Sequence, residues 1–289
     1  MSHLNDLAHP LSQRYPRVLS IAGSDSGGGA GIQADLKTIA ALGCYGMTAI
    51  TALTAQNTLG VRAIHAVPAA FLKEQIAAVV EDIGVDAVKI GMLHAPEIVE
   101  AVAWAIDTYR LPNVVLDPVM VATSGDTLIE DATIGVLVRE LFPRATLVTP
   151  NLDEAALLLG RPLATVDEME AAAAELLQRG AGAVLLKGGH LPGEIVSDLL
   201  ALRGEAPAFW IRLTGERIAS GNLHGSGCTL SSAIAAFLAI GQTLEEAVQS
   251  AHAWVRGAIA EGAHVRTGNG NGPLNHGYAP VPMRRVPLA

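Results

Sequence analysis

Cysteine, aromatic residues and charged residues are all sparse in this sequence. Cys44 and Cys228 are the only cysteines among its 289 residues, and two cysteines are too few for a disulfide framework. We therefore expect a reducing, cytoplasmic environment. Aromatic residues make up 4% of the chain and charged residues 16%, whereas hydrophobic residues make up 50%, so the chain can bury a large core.

Positive charge is also in short supply. The chain has 28 acidic and 19 basic residues, and the net charge of −9 argues against nucleic acid or an acidic membrane surface as a partner. No apolar run reaches the length of a membrane span, because the candidate at residues 228–240 stops at Gly241. Residues 1–16 lack the apolar centre of a signal peptide, so we expect a flexible arm there.

Short apolar runs alternate with stretches of helical spacing through almost the whole chain. The predicted strands are 17–22, 46–56, 86–91, 113–117, 145–149 and 183–187, followed by hairpin-like strands at 195–202 and 209–213. The alternation predicts an α/β fold with three α/β/α layers around a mainly parallel sheet. No linker interrupts it, so we expect one domain over residues 17–276, with an irregular tail at 277–289. The connection at 119–130 is long enough to act as a flap.

A glycine-rich loop at residues 23–31 follows the first predicted strand and precedes a predicted helix. A phosphate-binding loop of the Walker type is excluded because no lysine follows the glycines. Residues 29–34 fit a loose dinucleotide-binding pattern. However, no Asp or Glu occurs between Lys37 and Lys73, where that pattern needs an acidic residue for the ribose. We therefore reject a dinucleotide site.

A second glycine loop, Gly225-Ser226-Gly227, runs into an apolar, alanine-rich predicted helix. Free N–H groups and the helix dipole at such a position favour an anion. Cys228 follows in the first turn, where a thiol pKa can fall from ~8.5 to ~3.5–7.5. The loop therefore offers an anion cradle beside a potential base, although a simple helix cap with an inert cysteine fits it equally well.

Polar residues stand at the ends of several predicted strands, and in parallel sheets ligands bind beyond these ends. Asp117 and the pair Asn151 and Glu154 offer the oxygen ligands that Mg²⁺ takes beside phosphates, whereas Asn151 with Glu154 also fits a helix capping box. Lys187 fits a phosphate contact or an outward-reaching lysine. Asp35 either faces solvent or reaches a ligand. Together these residues describe phosphoryl transfer.

The motifs as a set resemble the hydroxymethylpyrimidine/phosphomethylpyrimidine kinase family of the ribokinase-like superfamily, from about Val18 to His276. They are, in chain order, the motif from Ala22 to Asp35, Thr54-Ala55-Gln56-Asn57-Thr58, Lys89-Ile90-Gly91-Met92-Leu93, Asp117-Pro118-Val119-Met120, Thr149-Pro150-Asn151-Leu152-Asp153-Glu154, Lys187-Gly188-Gly189-His190 and Gly225-Ser226-Gly227-Cys228. Each motif alone is weak, but seven in the family's order are specific.

The resemblance implies an ATP- and Mg²⁺-dependent kinase that phosphorylates 4-amino-5-hydroxymethyl-2-methylpyrimidine and then its monophosphate, for thiamine biosynthesis. It implies a pyrimidine pocket formed by Gly23, Asp35, Gln56, Met92 and Val119. It also implies nucleotide contacts from Lys187, Asn151, Thr229 and His252, a metal organised by Asp117 and Glu154, and Cys228 as base beside the amides of Gly225, Ser226 and Gly227. The family tends to form homodimers.

Two features separate this reading from its rivals. Gln56 offers both a donor and an acceptor to an aminopyrimidine, whereas related pyridoxal kinases tend to carry Met there. A non-catalytic pyrimidine sensor would have no need for the full set of polar residues. One departure remains, because many relatives carry Lys where this chain has His252. A protonated His252 could replace that lysine, or it could be a histidine on the helix surface.

Overall fold

The computed structural model describes residues 12–120, 128–129, 131–163, 165–204 and 209–288. Its strands are β1 (Gln13–Arg14), β2 (Arg17–Ala22), β3 (Tyr45–Ile50), β4 (Ala52–Asn57), β5 (Gly60–Ala66), β6 (Ala87–Ile90), β7 (Val114–Leu116), β8 (Leu147–Val148), β9 (Ala183–Leu186), β10 (Ile195–Leu202), β11 (Phe209–Glu216) and β12 (Val286–Pro287). Its α-helices are α1 (Gly31–Ala41), α2 (Ala69–Asp82), α3 (Pro96–Tyr109), α4 (Asp131–Leu141), α5 (Leu152–Leu159), α6 (Asp167–Gln178), α7 (Ser226–Ala239) and α8 (Leu244–Gly262).

Eight strands form one central sheet in the order β11-β10-β9-β8-β7-β6-β2-β3. The six strands from β9 to β3 in this order are parallel, and β10 and β11 add an antiparallel hairpin at one edge. This arrangement confirms the predicted, mainly parallel sheet. The inner strands have fully buried, apolar sequences because helices cover both of their faces.

Two hydrophobic cores lie on opposite faces of the sheet and give the molecule its three layers. Helices α2, α3, α4, α5 and α6 contribute to one core, and α1, α7 and α8 contribute to the other. Helix α7 is apolar on nearly all sides because it packs between α1, α8 and strands of the sheet. This central position holds the start of α7 at the carboxyl edge of the strands.

The predicted strand at 46–56 is two strands in the structure. Strand β3 stays in the sheet, whereas β4 leaves it and pairs with β5 in a separate antiparallel hairpin. Thr51 marks the break, since its N–H donates to Ala22 and its hydroxyl donates to the carbonyl of Met92. The hairpin was missed because the apolar and β-branched pattern continues across this bend.

Hydrogen bonds hold the two ends of the described chain. Strand β12 pairs with β1, and the N–H groups of Val281 and Arg284 donate to the carbonyls of Ala41 and Gly43. The described segment that begins at residue 277 contains only the short strand β12 as regular structure. Residues 1–11 of the predicted arm and most of the predicted flap, 121–127 and 130, lie outside the described residues. No described helix has the length and apolarity needed to span a membrane.

Candidate active site

A cavity of about 740 Å³ opens at the carboxyl ends of the parallel strands. Its walls include most of the candidate residues, namely Gly23, Gln56, Met92, Asp117, Val119, Asn151, Glu154, Lys187, Gly225, Ser226, Gly227, Cys228 and His252. The topology explains this convergence, because the loops after β2, β6, β7, β8 and β9 all emerge at one edge of the sheet. Asp35 and Thr229 are the two candidates that do not line the cavity.

One part of the cavity wall is mostly apolar. The Cα of Gly23 faces Met92, and a Cβ at position 23 would lie 3.3 Å from the Met92 sulfur. Val119 packs against the cluster that contains Met92, and Gln56 also lines the cavity. Gln56 sits at an irregularity of β4, where the pairing register shifts. The Thr54 hydroxyl lies 3.2 Å from Gln56 Oε1, but its single proton has a shorter bond to the Ser24 carbonyl at 2.8 Å, so this contact does not fix the orientation of the amide.

Asp35 lies behind the cavity wall and is fully buried, so it does not face solvent, and its contact with a ligand stays a prediction. Its Oδ2 accepts hydrogen bonds from the Lys89 ammonium at 2.9 Å and the Ser20 hydroxyl at 2.6 Å. Its Oδ1 accepts one from Ser232 of α7 at 2.7 Å. Three of the roughly four acceptor positions of this carboxylate are therefore occupied within the protein.

Lys89 was not among the predicted site residues, although it lines the cavity. Its side chain is fully buried, and Asp35 raises the pKa of the ammonium although burial opposes this shift. A lysine in the middle of a fully buried strand needs a carboxylate partner. A lysine inside an apolar strand of the sequence therefore indicates a buried carboxylate partner, and this signal could have pointed to Asp35.

The loop before α7 presents free backbone N–H groups to the cavity. Gly225 has a left-handed conformation, with φ of 78°, and α7 begins at Ser226. The N–H of Ser226 donates to the Leu223 carbonyl, whereas those of Gly227 and Cys228 have no acceptor among the described residues. The predicted anion cradle therefore loses the N–H of Ser226 and keeps those of Gly227 and Cys228. Thr229 stands behind it, fully buried, with its hydroxyl donating to the carbonyl of Gly225.

Cys228 faces the cavity, but its predicted acidity is wrong. Burial raises the pKa of its thiol to about 11; Lys89 opposes the shift, while the carboxylates of Asp35 and Asp117 add to it. The N–H of Gly31 favours the thiolate and lowers the pKa, but it does not offset desolvation. The thiol is therefore protonated at neutral pH, despite its place in the first turn of a helix.

Asp117, Glu154 and Lys187 form a charged cluster beside this loop. The Lys187 ammonium lies 2.9 Å from Asp117 Oδ1 and 3.9 Å from Glu154 Oε2, so it reaches into the cavity rather than outward. A Cβ on Gly227 would lie 3.2 Å from the same ammonium, which places this charge next to the free amides. The two carboxylates raise the pKa of Lys187 although burial opposes them, so the residue stays charged.

Asn151 and Glu154 form the capping box at the start of α5. Asn151 accepts from the N–H of Glu154, and Glu154 accepts from the N–H of Asn151, each at 2.8 Å. Burial raises the pKa of Glu154 to about 7, Asp117 adds to this effect, and Lys187 opposes it. The predicted capping role is therefore present, and both side chains still line the cavity.

The described side chains of the cavity fit Mg²⁺ that is bound together with phosphates, and they do not form a complete metal site by themselves. No group of three or more His, Cys, Asp or Glu side chains that could enclose a metal occurs in the described part of the chain. Two carboxylates, Asp117 and Glu154, are available, and Mg²⁺ is commonly held by one or two carboxylates together with waters and nucleotide phosphates. The cluster could therefore supply part of a coordination shell that a nucleotide completes.

His252 projects from α8 into the cavity and is not on the exposed helix surface. Its Nε2 lies 3.7 Å from Asp198 Oδ2. Burial lowers the pKa of His252, with Arg256 adding to the effect and Asp198 opposing it. The imidazole is therefore neutral at neutral pH and does not provide the positive charge of a lysine.

A further pair, Asp25 and His224, joins the two glycine loops. Asp25 accepts hydrogen bonds from the N–H groups of Gly27, Gly29 and Ala30, and its Oδ2 lies 2.9 Å from His224 Nε2. Burial works against it, but the bonds from His224 and these amides lower the pKa of Asp25. These two residues lie 199 positions apart in the chain, so no local sequence pattern links them.

Comparison with known proteins gives a consistent result. A family model described as phosphomethylpyrimidine kinase matches residues 25–275. The hydroxymethylpyrimidine/phosphomethylpyrimidine kinase of Rhizobium meliloti is 50% identical over 260 residues, which cover 90% of this chain and 96% of that protein. The thiamine biosynthesis bifunctional protein ThiED of Geobacter sulfurreducens is 48% identical over 93% of this chain. That protein is longer, and this chain spans 54% of its length.

Among solved structures, an ADP complex of Bacillus subtilis pyridoxal kinase has the same fold. It aligns with a TM-score of 0.83 and 38% identity, over 91% of this chain and 98% of that chain. The ribokinase-like fold expected from the motifs is thereby confirmed. The family match covers residues 25–31 of the first glycine loop, the second glycine loop, the charged cluster and Gln56. This chain therefore belongs to the phosphomethylpyrimidine kinase family.

Proposed function

We propose that this protein transfers the γ-phosphoryl group of ATP to 4-amino-5-hydroxymethyl-2-methylpyrimidine and then to the monophosphate so formed. One observation carries the proposal. The N–H groups of Gly227 and Cys228, which have no acceptor among the described residues, lie beside the Lys187 ammonium, in the same cavity as the side-chain amide of Gln56. An anion site and an aminopyrimidine site within one cavity are what a kinase for this substrate needs.

The apolar part of the cavity wall suits the pyrimidine. Gly23, Met92 and Val119 offer mostly apolar surface, and Gln56 offers a donor and an acceptor for the edge of an aminopyrimidine ring. Asp35 is proposed to contact the ring as well.

The charged part of the cavity wall suits the ATP phosphates. Lys187 and the amides of Gly227 and Cys228 would balance the charge that spreads over the transferring phosphoryl group. Asn151 and the neutral imidazole of His252 offer polar contacts along the rest of the nucleotide. When bound, Mg²⁺ neutralises phosphate charge, and Asp117 and Glu154 are the residues proposed to hold it.

Cys228 is proposed to accept the proton of the substrate hydroxyl. Its thiol lies in the cavity wall, next to the amides that would receive the phosphoryl group. Because its pKa is raised to about 11, only a small thiolate fraction is present at neutral pH, but that fraction is a strong base. Phosphoryl transfer through a loose transition state depends mostly on position and charge, so it tolerates a base of low occupancy.

An ATP-coupled assay tests the proposal. The protein is given the pyrimidine alcohol, its monophosphate or pyridoxal, each with and without Mg²⁺, and the formation of ADP is followed. We expect Mg²⁺-dependent turnover of the alcohol and the monophosphate. Lys187→Met serves as the inactive control, with a fall of at least ~10²-fold, because it removes the cation beside the transferred group. The absence of ADP formation with both pyrimidines would exclude the function.

Pyridoxal phosphorylation is the second candidate. It is supported by the likeness to the pyridoxal kinase of Bacillus subtilis. Gln56 speaks against it as the main activity, since the resemblance assigns Met to this position in related pyridoxal kinases. The ratio of kcat/KM for the pyrimidine alcohol to that for pyridoxal measures the preference, and we expect it to be above one.

We further propose a cytoplasmic homodimer. Two free cysteines suit a reducing compartment. The hairpin of β4 and β5 pairs with no other described strand, and it exposes Leu53 and Ile64. An isolated two-stranded hairpin is marginally stable, which supports a partner copy as its cover. Sedimentation of the wild type and of Leu53→Glu gives the test, with a dimer expected only for the wild type.

A further inference from the structure

The two phosphorylations of the proposed function present the site with acceptors of different chemistry. In the first, the alcohol oxygen forms a bond to the γ-phosphorus, the bond from that phosphorus to the bridging oxygen breaks, and its electron pair leaves on ADP. The hydroxyl proton must also leave. In the second, the acceptor is a phosphate oxygen, and a phosphate monoester with a second pKa of ~6 is already ionised above neutral pH. No proton then has to be removed.

We infer that Cys228 serves only the first of these two reactions, and that transfer to the monophosphate proceeds without its sulfur. The inference rests on the proposed function and adds a division of labour within its site. Its basis is the geometry of the loop before α7, where the groups that stabilise the phosphoryl group are separate from the group that can take a proton.

The groups proposed to stabilise the phosphoryl group do not depend on the sulfur. They are the backbone N–H groups of Gly227 and Cys228 and the ammonium of Lys187, which Asp117 holds at 2.9 Å. The loop conformation is set by Gly225, where a Cβ would lie 1.9 Å from the carbonyl oxygen of Gly29. Replacement of the thiol by a methyl group or a hydroxyl therefore leaves the cradle and its charge in place.

The surroundings of the sulfur limit it to proton transfer. The charged groups that act on it are Lys89, Asp35, Asp117 and Lys187. Asp35 pairs with Lys89, and Asp117 pairs with Lys187, so the positive charges near the sulfur are already balanced. A thiolate here gains little from its neighbours and adds a negative charge near an anionic acceptor. The thiolate can remove the proton of the alcohol, but the ionised monophosphate has no proton for it to remove.

The test compares the two reactions in the same preparations. Initial rates are measured with the alcohol and with the monophosphate, at saturating ATP and Mg²⁺, for the wild type, Cys228→Ala and Cys228→Ser. Cys44→Ala is the matched control, because Cys44 is buried against the carbonyl of Ala236 and lies outside the cavity wall. We expect the ratio of the second rate to the first to rise at least ~10²-fold in both Cys228 variants and to stay unchanged in Cys44→Ala.

The pH dependence gives an independent readout. The monophosphate stays ionised between pH 7.5 and 9.5, because this whole range lies well above its second pKa of ~6. The thiolate fraction of the wild type rises about tenfold per unit, because the pKa of Cys228 lies near 11. The ratio of second to first rate should therefore fall with rising pH in the wild type and stay flat in Cys228→Ala. Groups shared by both reactions cancel in this ratio.

The outcomes separate the inference from the function on which it rests. Equal falls of both rates in Cys228→Ala, or a ratio that does not change with pH in an active wild type, would overturn the inference and leave the kinase function intact. A changed ratio in Cys44→Ala would also count against it, since the effect would not be specific to the cavity thiol. A wild type that uses neither pyrimidine would overturn the proposed function itself.

Discussion

Single residues in this site act through the partners that burial forces on them. Lys89 and Asp35 are both fully buried and form an ion pair, with Ser20 and Ser232 completing the hydrogen bonds of the carboxylate. Such a pair contributes little net stability compared with an apolar pair, but the loss of one partner is costly. The pair therefore fixes where α1, β6 and α7 meet beneath the cavity.

The first prediction concerns this pair. Lys89→Met leaves the Asp35 carboxylate buried without its cation, so we expect a loss of about 3–5 kcal/mol in the free energy of unfolding. The double variant Lys89→Met with Asp35→Asn removes both charges and should recover at least half of that loss. Urea unfolding followed by circular dichroism measures both. Equal losses in the single and double variants would mean that the charge pairing is not the cause.

A second prediction at this scale concerns Gln56. Gln56→Met removes an amide that lines the cavity while keeping a side chain of similar length. A lost hydrogen bond to the ring should weaken binding of the pyrimidine alcohol by about 1–2 kcal/mol, or ~5–30-fold in Kd. Calorimetric titration gives the value. Thr54→Val removes only the hydroxyl that lies 3.2 Å from Gln56 Oε1 and is expected to have a smaller effect. Unchanged affinity in Gln56→Met would remove this residue from the pocket.

Glu154 gives a prediction about pH. Its pKa in the folded protein is raised to about 7 from an ordinary value of 4.5, so the folded state holds this proton more tightly than the unfolded state. The resulting stabilisation is complete below pH 4.5 and is lost as the pH rises from 4.5 through 7. Its size is on the order of 1–3 kcal/mol.

Glu154→Gln is the matched variant, because glutamine can still accept the N–H of Asn151 in the capping box. Chemical unfolding between pH 4.5 and 8 compares the two proteins. The wild type should lose stability relative to the variant across this range. Parallel curves would mean that the pKa of Glu154 is not raised.

At the scale of elements, the site depends on the contact between two glycine loops. Asp25 gathers three amides of the first loop and pairs with His224, which directly precedes Gly225 of the second. The contact thereby holds the end of β2 next to the start of α7, which is distant from it in the chain. The free amides of α7 face the cavity because of this contact, and helix geometry alone would not aim them there.

Gly225→Ala tests the loop contact. The new Cβ would lie 1.9 Å from the carbonyl oxygen of Gly29, and the residue would have to keep a φ of 78°. We expect turnover to fall by at least ~10²-fold because the cradle moves, together with a loss of about 1–3 kcal/mol in stability. Gly241→Ala is the control, since Gly241 has φ of 92° at the far end of α7 and an added Cβ would meet nothing within 4 Å. It should lose stability only, and equal activity in both variants would contradict the prediction.

At the scale of the whole molecule, the last residues close the fold outside the region shared with the family. The family match ends at residue 275, but Tyr278 packs against Trp254 of α8, with ring centroids 6.0 Å apart. Beyond it, Val281 and Arg284 bond to the turn after α1, and β12 pairs with β1. This segment ties both ends of the chain to the helical layer that contains α7 and α8.

Removal of residues 277–289 should therefore lower stability more than activity. We expect Tm to fall by about 5 °C or more, from a loss of about 2 kcal/mol or more, with kcat for the alcohol within threefold of the wild type at 25 °C. Differential scanning calorimetry and the coupled assay give the two values. Tyr278→Ala separates the aromatic contact from the rest of the segment. A truncated protein with unchanged Tm would mean that the segment does not contribute to stability.

The sequence predicted most of the site because strand ends and glycine loops are local patterns. Asp117, Asn151, Glu154 and Lys187 each follow a strand, and parallel strands bring such residues to one edge. What it could not predict were partners that are distant in the chain. The pairing of Lys89 with Asp35, and the pKa of Cys228, depend on how deeply each group is buried and on which charges lie next to it.

The sequence by itself determined the layers, the parallel sheet and the edge at which the cavity opens, because these follow from hydrophobic spacing and the order of the elements. The tertiary structure alone decided three further points. It turned β4 out of the sheet, used the hydroxyl of Thr229 inside the loop and left the thiol of Cys228 protonated. The physical reason is the same in each case. Burial and hydrogen-bond partners are set by packing between distant segments, and spacing along the chain does not record them.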